Sequence, residues 1–276
     1  MSTPKSLEIP EGVVAATIET SRGPFATHTI RVPDPEAHVL LIPGWTGSKE
    51  DFTPLLPLLA SVGFDATAYD QRGQFETPGA DDDDYSLSGF AADAASLARE
   101  CATEPTHLLG HSFGGLVAQA AALDSTSTWR SVSLLDTGPG ALGDSTERPL
   151  SALVEALGHI PLVEIHRYRE NGVQRVKEIA SFLERRFTSN SVTSLRAMTE
   201  HLMHAPDRIA DLHRLRLPVW VGRGADDDAW PHDVQAAMAE RLGVEIHVVA
   251  DSAHSPAVEN PQGLADAWFP FLLKNT

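Results

Sequence analysis

Apolar residues in the first half of the chain fall into short runs that alternate with amphipathic stripes. Short runs bounded by Gly and Pro are typical of buried strands, and stripes with a period near 3.6 residues are typical of helices. The predicted strands cover 13–19, 26–32, 38–42, 64–69, 107–109 and 132–135, and the predicted helices cover 51–62, 86–100 and 116–123. This alternation predicts an α/β fold with a mostly parallel sheet covered by helices on both faces.

The pattern changes between about residues 143 and 216, where the apolar positions keep a helical period and indicate no strand. The earlier alternation then returns, with predicted strands at 219–221 and 244–249 and predicted helices at 232–242 and 261–273. We therefore predict an α/β core made of residues 1–143 and 217–276, with an all-helical cap, or lid, inserted at 144–216.

The charge and the amino-acid composition of the chain exclude or disfavour several classes of protein. The 276 residues include 38 Asp and Glu against 21 Lys and Arg, for a net charge of −17, which disfavours binding to nucleic acid or to an anionic membrane surface. Cys101 is the only cysteine, so a disulfide framework and a multi-cysteine metal site are excluded. The sequence has neither a transmembrane stretch nor the apolar segment of a secretory signal, so we predict a cytoplasmic protein.

Ser112 lies in a G-x-S-x-G pentapeptide, residues 110–114, between a predicted strand and a predicted helix. In this context the pattern predicts a tight strand-to-helix turn that lifts the serine hydroxyl clear of the sheet. Glycines flank the serine because a larger side chain would collide with the neighbouring elements. The backbone N–H of Phe113 would point into the same space at the helix start. We therefore predict that Ser112 is a nucleophile.

A serine nucleophile needs a base, and twelve histidines are available. His254 follows the predicted strand 244–249 in a loop of small residues. A loop at this point reaches the carboxyl edge of a parallel sheet, where Ser112 is also expected. We therefore predict that His254 is the base.

The base in turn needs a carboxylate to hold its tautomer and to stabilise the imidazolium. Asp227 follows the predicted strand 219–221 and is the candidate we favour. Asp226 is its neighbour, and Asp136 ends the strand at 132–135, so both remain competitors. The chain order of serine, acid and histidine is the one found in the α/β-hydrolases.

These motifs resemble those of the α/β-hydrolase family over nearly the whole chain. The segments that carry the resemblance, besides the pentapeptide, are 41–45, 70–73, 218–227 and 252–261. They are similar to the family's oxyanion loop, D-x-R-G loop, acid segment and histidine segment, respectively. The resemblance favours Asp227 as the acid, and it implies that the backbone N–H groups of Trp45 and Phe113 form the oxyanion hole.

Two positions depart from the family pattern. Pro43 stands where a histidine is usual before Gly44, but the oxyanion donors are backbone groups, so the implied hole is retained. Gln74 stands where a glycine is frequent after Arg72-Gly73, and the sequence gives no reason for this change.

The resemblance implies a serine hydrolase, similar to a carboxylesterase, that cleaves a small to medium ester, thioester or lactone through an acyl-enzyme. It implies neither a metal nor an organic cofactor. Three alternatives remain open on the same fold: a carbon–carbon hydrolase or a lyase of the menaquinone-synthesis type, a cofactor-free perhydrolase or haloperoxidase, and a ligand receptor without catalysis. The intact set of Ser112, Asp227 and His254 argues against the receptor.

We expect the pocket for a small-molecule substrate to be lined by Trp45 and by the cap residues Leu195, Met198 and Leu202. His111, next to the serine on a sharp turn, is expected to pack or to line the same pocket. The chain is expected to act as a monomer or a homodimer.

The predicted cap is nearly neutral, with eleven Lys and Arg against ten Asp and Glu, whereas the rest of the chain is strongly acidic. This contrast favours the hypothesis that the substrate carries a carboxylate or a similar anion. The candidate arginines are Arg167, Arg169, Arg175, Arg185, Arg186 and Arg196. The alternative is that they only pair with glutamates along their own helices.

Overall fold

The structure, a computed structural model, describes residues 2–276, with side chains for all of these except 144–148. The strands are β1 Val13–Thr20, β2 Gly23–Ile30, β3 Ala37–Ile42, β4 Phe64–Tyr69, β5 Thr106–His111, β6 Trp129–Leu135, β7 Val219–Gly224 and β8 Ile246–Val249. The helices are α1 Leu56–Ser61, α2 Leu87–Cys101, α3 Phe113–Asp124, α4 Asp144–Ala156, α5 Leu162–Arg169, α6 Lys177–Thr188, α7 Val192–His204, α8 Ile209–Arg214, α9 His232–Leu242, α10 Pro256–Glu259 and α11 Pro261–Lys274. Within this part of the chain, no helix has the length and apolar character needed to cross a membrane.

The eight strands form one sheet in the order β1-β2-β4-β3-β5-β6-β7-β8. The pairs β1–β2 and β2–β4 are antiparallel, and every other pair is parallel. The predicted α/β class with a mostly parallel sheet is therefore confirmed. Because β3, β5, β6, β7 and β8 run in the same direction, the loops that follow these strands meet at one edge of the sheet.

Helices cover both faces of the sheet, and strand residues alternate between the two faces. In β3, Val39 and Leu41 pack into the apolar layer formed with α1 and α11, whereas Leu40 and Ile42 pack into the layer formed with α2, α3 and α9. A strand buried on both faces needs apolar residues at every position, which explains its uninterrupted apolar run.

The predicted helix at 51–62 is shorter in the structure. Short 3-10 turns cover Lys49–Asp51 and Thr53–Leu55, and α1 begins only at Leu56. Pro54 and Pro57 lack a backbone N–H and fix φ, so they are tolerated only within the first turns of a helix. The apolar residues keep a helical period across these turns, but the backbone does not form one continuous α-helix.

Five helices, α4 to α8, lie between β6 and β7, and the structure has no strand in the described residues of this segment. The segment is attached to the rest of the chain by buried contacts. Met198 and Leu202 pack in the same apolar layer as α2 and α3, and the Ser194 hydroxyl donates to the carbonyl oxygen of Arg72. The division into a core and a cap at 144–216 stays a prediction.

Candidate active site

Ser112 occupies a sharp turn between β5 and α3. Its backbone has φ +55° and ψ −122°, a conformation that side-chain-bearing residues rarely adopt. A Cβ added at Gly110 would lie 2.1 Å from the carbonyl oxygen of Gly114, and one added at Gly114 would lie 2.4 Å from that of Ile42. Both atoms belong to the backbone and have no room to move, so only glycine fits on either side of the turn.

The sheet brings Ser112, His254 and Asp227 into direct contact. His254 Nε2 lies 3.0 Å from Ser112 Oγ, and His254 Nδ1 lies 2.7 Å from Asp227 Oδ1. Ser112 follows β5, Asp227 follows β7 and His254 follows β8, so all three come from the shared edge of the sheet. Since a carboxylate accepts from Nδ1–H, the neutral ring presents its Nε2 lone pair to the serine hydroxyl. Both bonds have the distances expected of a serine–histidine–acid relay.

Asp227 is held in its charged form. Burial alone would raise the pKa of this carboxyl group, but the hydrogen bond and charge of His254 act against it and lower the pKa to about 2. The backbone N–H of Ala229 donates to Oδ1, and the side-chain amide of Gln235 donates to Oδ2 at 2.6 Å. A carboxylate with this many donors can support a positively charged imidazolium next to it.

Asp136 also lies at this edge, within 4.8 Å of ligand atoms of Asp227 and His254. It is fully buried, and one of its oxygens accepts from the backbone N–H of Gly224, while Oδ2 has no hydrogen-bond partner in the described part of the chain. Burial and the neighbouring Asp227 charge raise the pKa of Asp136 well above its usual value. The structure therefore brings Asp227, and not Asp136, into hydrogen-bond contact with His254.

Proximity alone would allow these three groups to bind a metal ion. However, both ring nitrogens of His254 are already in use, one with Asp227 and the other with Ser112. The charge-neutral state that burial favours in Asp136 also makes it a poor ligand for a divalent cation. These three side chains are therefore better suited to proton transfer between Ser112 and His254 than to binding a metal ion.

The backbone N–H groups of Trp45 and Phe113 are both without an acceptor among the residues that the structure describes. Phe113 is the first residue of α3, where a helix leaves its N–H groups unpaired. Trp45 follows Gly44, and a Cβ added at Gly44 would lie only 3.0 Å from Ser112 Cβ. Two open donors next to the predicted nucleophile are compatible with the predicted oxyanion hole.

Two glutamines hold the loop that carries Trp45. The side-chain amide of Gln71 donates to the carbonyl oxygen of Pro43 at 2.9 Å, and that of Gln74 donates to the carbonyl oxygen of Gly44 at 3.1 Å. Both side chains are buried. Sequence reasoning missed this role, because no local pattern shows which distant loop these two side chains contact. The departure from glycine at position 74 thus supplies a hydrogen bond to the oxyanion loop.

His111 was expected either to pack or to line the pocket, and in the structure it is packed against the backbone of His254. It is only 5% exposed, and its Nε2 donates to the carbonyl oxygen of His254 at 2.5 Å. Burial, together with the charge of the nearby His254, lowers the pKa of His111 to about 3. A ring that stays neutral keeps its donor directed at the His254 backbone, so His111 helps to fix the position of His254.

Leu195, Met198 and Leu202 do not line an open cavity in the structure. All three are buried: Leu195 packs against α5 and α6, and the other two pack in the layer that contains α2 and α3. Their spacing places them on one apolar face of a helix. The sequence alone does not show whether such a face packs in the core or lines a ligand pocket. A cavity instead lies against Trp45, and its other walls come from α4, α5 and the turn between them.

Comparison with known proteins agrees with this architecture. The sequence profile of the alpha/beta hydrolase family matches residues 39–267. A protein of Variovorax paradoxus (strain S110), provisionally named as the carbamate hydrolase RutD, is 30% identical over 230 residues, which cover 80% of this chain and 85% of that protein.

Solved structures show the same fold at lower sequence identity. A thermophilic esterase from Thermogutta terrifontis, with malate bound, has a TM-score of 0.75 and 21% identity and covers 95% of this chain and 100% of its own. The N-formylmaleamic acid deformylase of Pseudomonas putida S16 has a TM-score of 0.70 and 21% identity, over 92% of this chain and 99% of its own. The family match spans most of the sequence, and the chain therefore belongs to the alpha/beta hydrolase family.

Proposed function

We propose that the protein is a serine hydrolase that cleaves a small to medium ester, thioester or lactone through a covalent acyl-enzyme. One observation carries this proposal: both ring nitrogens of His254 are engaged, at 3.0 Å with Ser112 Oγ and at 2.7 Å with Asp227 Oδ1. A serine hydroxyl is a poor nucleophile unless a neighbouring base can take its proton, and this arrangement supplies that base.

In the acylation step, Ser112 Oγ attacks the carbonyl carbon of the substrate and its proton passes to His254 Nε2. The carbonyl oxygen becomes an oxyanion, which the N–H groups of Trp45 and Phe113 stabilise. One such donor is typically worth about 10²- to 10³-fold in rate. The Asp227 carboxylate, whose low pKa keeps it charged, stabilises the imidazolium that forms.

His254 then gives its proton to the leaving group, and the carbon–oxygen or carbon–sulfur bond of the tetrahedral intermediate breaks. A water molecule takes the place of the leaving group. His254 removes its proton as it attacks the acyl-enzyme, and the proton returns to Ser112 Oγ when the acid product leaves. Each step uses the same two hydrogen bonds of His254, so no further catalytic group is needed.

A second candidate is hydrolysis of a carbon–nitrogen bond. The relative from Variovorax paradoxus, at 30% identity, is provisionally named for carbamate hydrolysis, and this supports testing carbamates and amides beside esters. The same residues apply, but a nitrogen leaving group depends more strongly on proton donation by His254, because an amide anion is a far poorer leaving group than an alkoxide.

The test is turnover of p-nitrophenyl esters with graded acyl length by wild type, Ser112→Ala and His254→Ala. Each substitution should lower kcat by several orders of magnitude, because members of such a relay act as a unit. Wild type should also release a burst of p-nitrophenol and carry an acyl mass on Ser112. Ser127→Ala, a change at an exposed serine, is the control and should match wild type.

Near wild-type turnover by Ser112→Ala would rule out the covalent mechanism. Turnover of a carbon-acid or diketone substrate, with none for any ester, amide or carbamate, would favour the lyase or carbon–carbon hydrolase alternative. Peroxide-dependent turnover would favour the perhydrolase, and ligand binding without turnover would favour the receptor.

A further inference from the structure

A cavity of about 790 Å³ lies between α4, α5 and the loop after β3. Its wall is mostly apolar and includes Trp45, Leu150, Leu153, Ile160 and Ile165. The volume is within the range of about 300–1,000 Å³ that is typical of small-molecule sites. The cavity can therefore accommodate a molecule of the size proposed for the substrate.

Trp45 connects this cavity to the nucleophile. Its side chain lines the cavity, and its backbone N–H is one of the two proposed oxyanion donors. The preceding residue, Gly44, lies directly against Ser112. The segment 44–45 therefore contacts both Ser112 and the cavity, so a substrate bound at Ser112 would need to pass only this segment to reach the apolar space.

Arg169 brings a positive charge into this apolar wall. Its guanidinium carbon lies 4.5 Å from the centre of the Trp45 ring and 5.3 Å from that of Phe187. Its Nη1 is buried and has no hydrogen-bond partner in the part of the chain that the structure describes. Burial lowers the pKa of Arg169, with Glu170 acting in the opposite direction, but a guanidinium still keeps its charge at neutral pH.

The nearby carboxylates do not neutralise Arg169. Glu170, its neighbour in sequence, binds Arg175 at 2.6 Å. Glu164 also lines the cavity, but its side chain is exposed, and the described residues include no ion pair between it and Arg169. Arg169 is partly buried and has no ion pair among the described residues, so its charge is free to bind an anionic ligand in the cavity.

The other candidate arginines of the segment differ from Arg169. Their partners are Glu170 for Arg175, Asp51 for Arg186, and the carbonyl oxygens of Val154 and Leu157 for Arg196. Arg167 and Arg185 are exposed. Among the six arginines considered from the sequence, Arg169 is therefore the one that combines a place in the cavity wall with a guanidinium that has neither an ion pair nor a hydrogen bond among the described residues.

We propose that Arg169 binds a carboxylate on the substrate, at the far end of an apolar segment that fills the cavity. The inference rests on the proposed function, and it specifies the substrate class as an ester or related acyl compound that carries a second, anionic carboxyl group. One face of the guanidinium contacts the indole of Trp45 and Nη1 is buried, so the carboxylate would accept from the remaining N–H groups of the guanidinium.

The first experiment compares two substrates of equal acyl length, p-nitrophenyl valerate and mono-p-nitrophenyl glutarate, which differ by one carboxylate. Wild type should prefer the glutarate ester, and the preference should fade as salt rises. Arg169→Met should lower kcat/KM for the glutarate ester about 10- to 100-fold, and that for the valerate ester by a much smaller factor. Arg169→Lys should recover part of the loss, and Arg167→Met on the same helix is the control.

The second experiment separates this inference from the proposed function by measuring binding without turnover. Monomethyl glutarate is titrated into Ser112→Ala and into Ser112→Ala/Arg169→Met by calorimetry, and the double variant should bind at least 10-fold more weakly. If no ester is turned over but this difference is found, the proposed function fails and the anion site stands. If esters are cleaved but Arg169→Met affects both substrates equally, or neither, the anion site is overturned while the hydrolase stands.

Discussion

Asp136 and Asp227 have identical side chains at the same edge of the sheet, yet their surroundings favour opposite charge states. Asp227 receives hydrogen bonds from His254, Ala229 and Gln235, and its pKa falls to about 2. Asp136 receives one backbone N–H and faces the Asp227 charge, and burial raises its pKa well above the usual value. Two carboxylates this close together cannot both be charged without a large cost, so the one with more donors keeps the charge.

From this difference we predict unequal effects of two equivalent substitutions. Asp227→Asn should lower kcat about 10³- to 10⁴-fold, because an amide cannot stabilise the imidazolium and favours the wrong tautomer of His254. Asp136→Asn should cost less than about 10-fold, because Asp136 makes no hydrogen bond to His254 or Ser112 and an amide oxygen can still accept from Gly224. The measurement is kcat on the best p-nitrophenyl ester near pH 7. A mild effect at Asp227 beside a severe one at Asp136 would move the acid to the strand before it.

At the scale of elements, a buried ion pair joins the helical segment to the turn after β3. In α6, Arg186 donates to Asp51 Oδ1 at 2.7 Å and to the backbone oxygen of Ser2, and neither charged side chain of the pair is more than 3% exposed. Asp51 lies in the turn Lys49–Asp51, which follows β3 and the predicted oxyanion loop. One buried contact thus links the position of α6 to the loop that carries Trp45.

We predict that Arg186→Met destabilises the fold by about 3–5 kcal/mol, because it leaves the Asp51 carboxylate buried without its partner. Adding Asp51→Asn to this variant should restore part of the loss, since it removes the uncompensated charge. The free energy of unfolding in urea measures both effects. Arg185→Met, at the exposed neighbouring position, is the control and should change stability by less than about 0.5 kcal/mol. A loss below 1 kcal/mol for Arg186→Met would contradict the role given to this pair.

Elements with a strong local signal were predictable from the sequence. The elbow at Ser112 and the strands around it follow from apolar runs and from glycines that alone fit beside the turn. Contacts between distant segments were not predictable, because no local pattern encodes which buried partner a side chain meets. The amides of Gln71 and Gln74 on the oxyanion loop, and Arg169 against Trp45, are of this kind.

For the whole molecule, charge is unevenly distributed along the chain. Residues 144–216 carry a formal charge of +1, whereas the remainder carries −18, for the net charge of −17. An anionic substrate is repelled by an acidic surface and meets less repulsion over the helical segment. The same segment carries Arg169. The weaker long-range repulsion and the proposed anion site therefore both favour binding of an anionic substrate.

The central strands also contain histidines that burial keeps neutral. His38 in β3 and His107 in β5 have pKa values lowered to about 3 and about 4 by burial, and His111 at the end of β5 has one of about 3. In the unfolded chain a histidine takes up a proton near pH 6.5. Between about pH 6.5 and pH 4, the unfolded state therefore binds more protons than the folded state, and the stability present above pH 6.5 is lost as the pH falls.

We predict that each of these histidines lowers the free energy of unfolding by about 2 kcal/mol between pH 7 and pH 5, since 1.5 pH units below 6.5 correspond to about 2 kcal/mol. His38 is the cleanest test, because neither ring nitrogen has a hydrogen-bond partner among the described residues. His38→Leu should therefore lose about 2 kcal/mol less than wild type over this interval, as measured by urea unfolding at both pH values. The exposed His159, changed to Gln, is the control and should keep the wild-type difference. If His38→Leu and wild type lost the same stability on acidification, the ring of His38 would have to accept a proton in the folded protein, and its burial in the sheet would not keep it neutral.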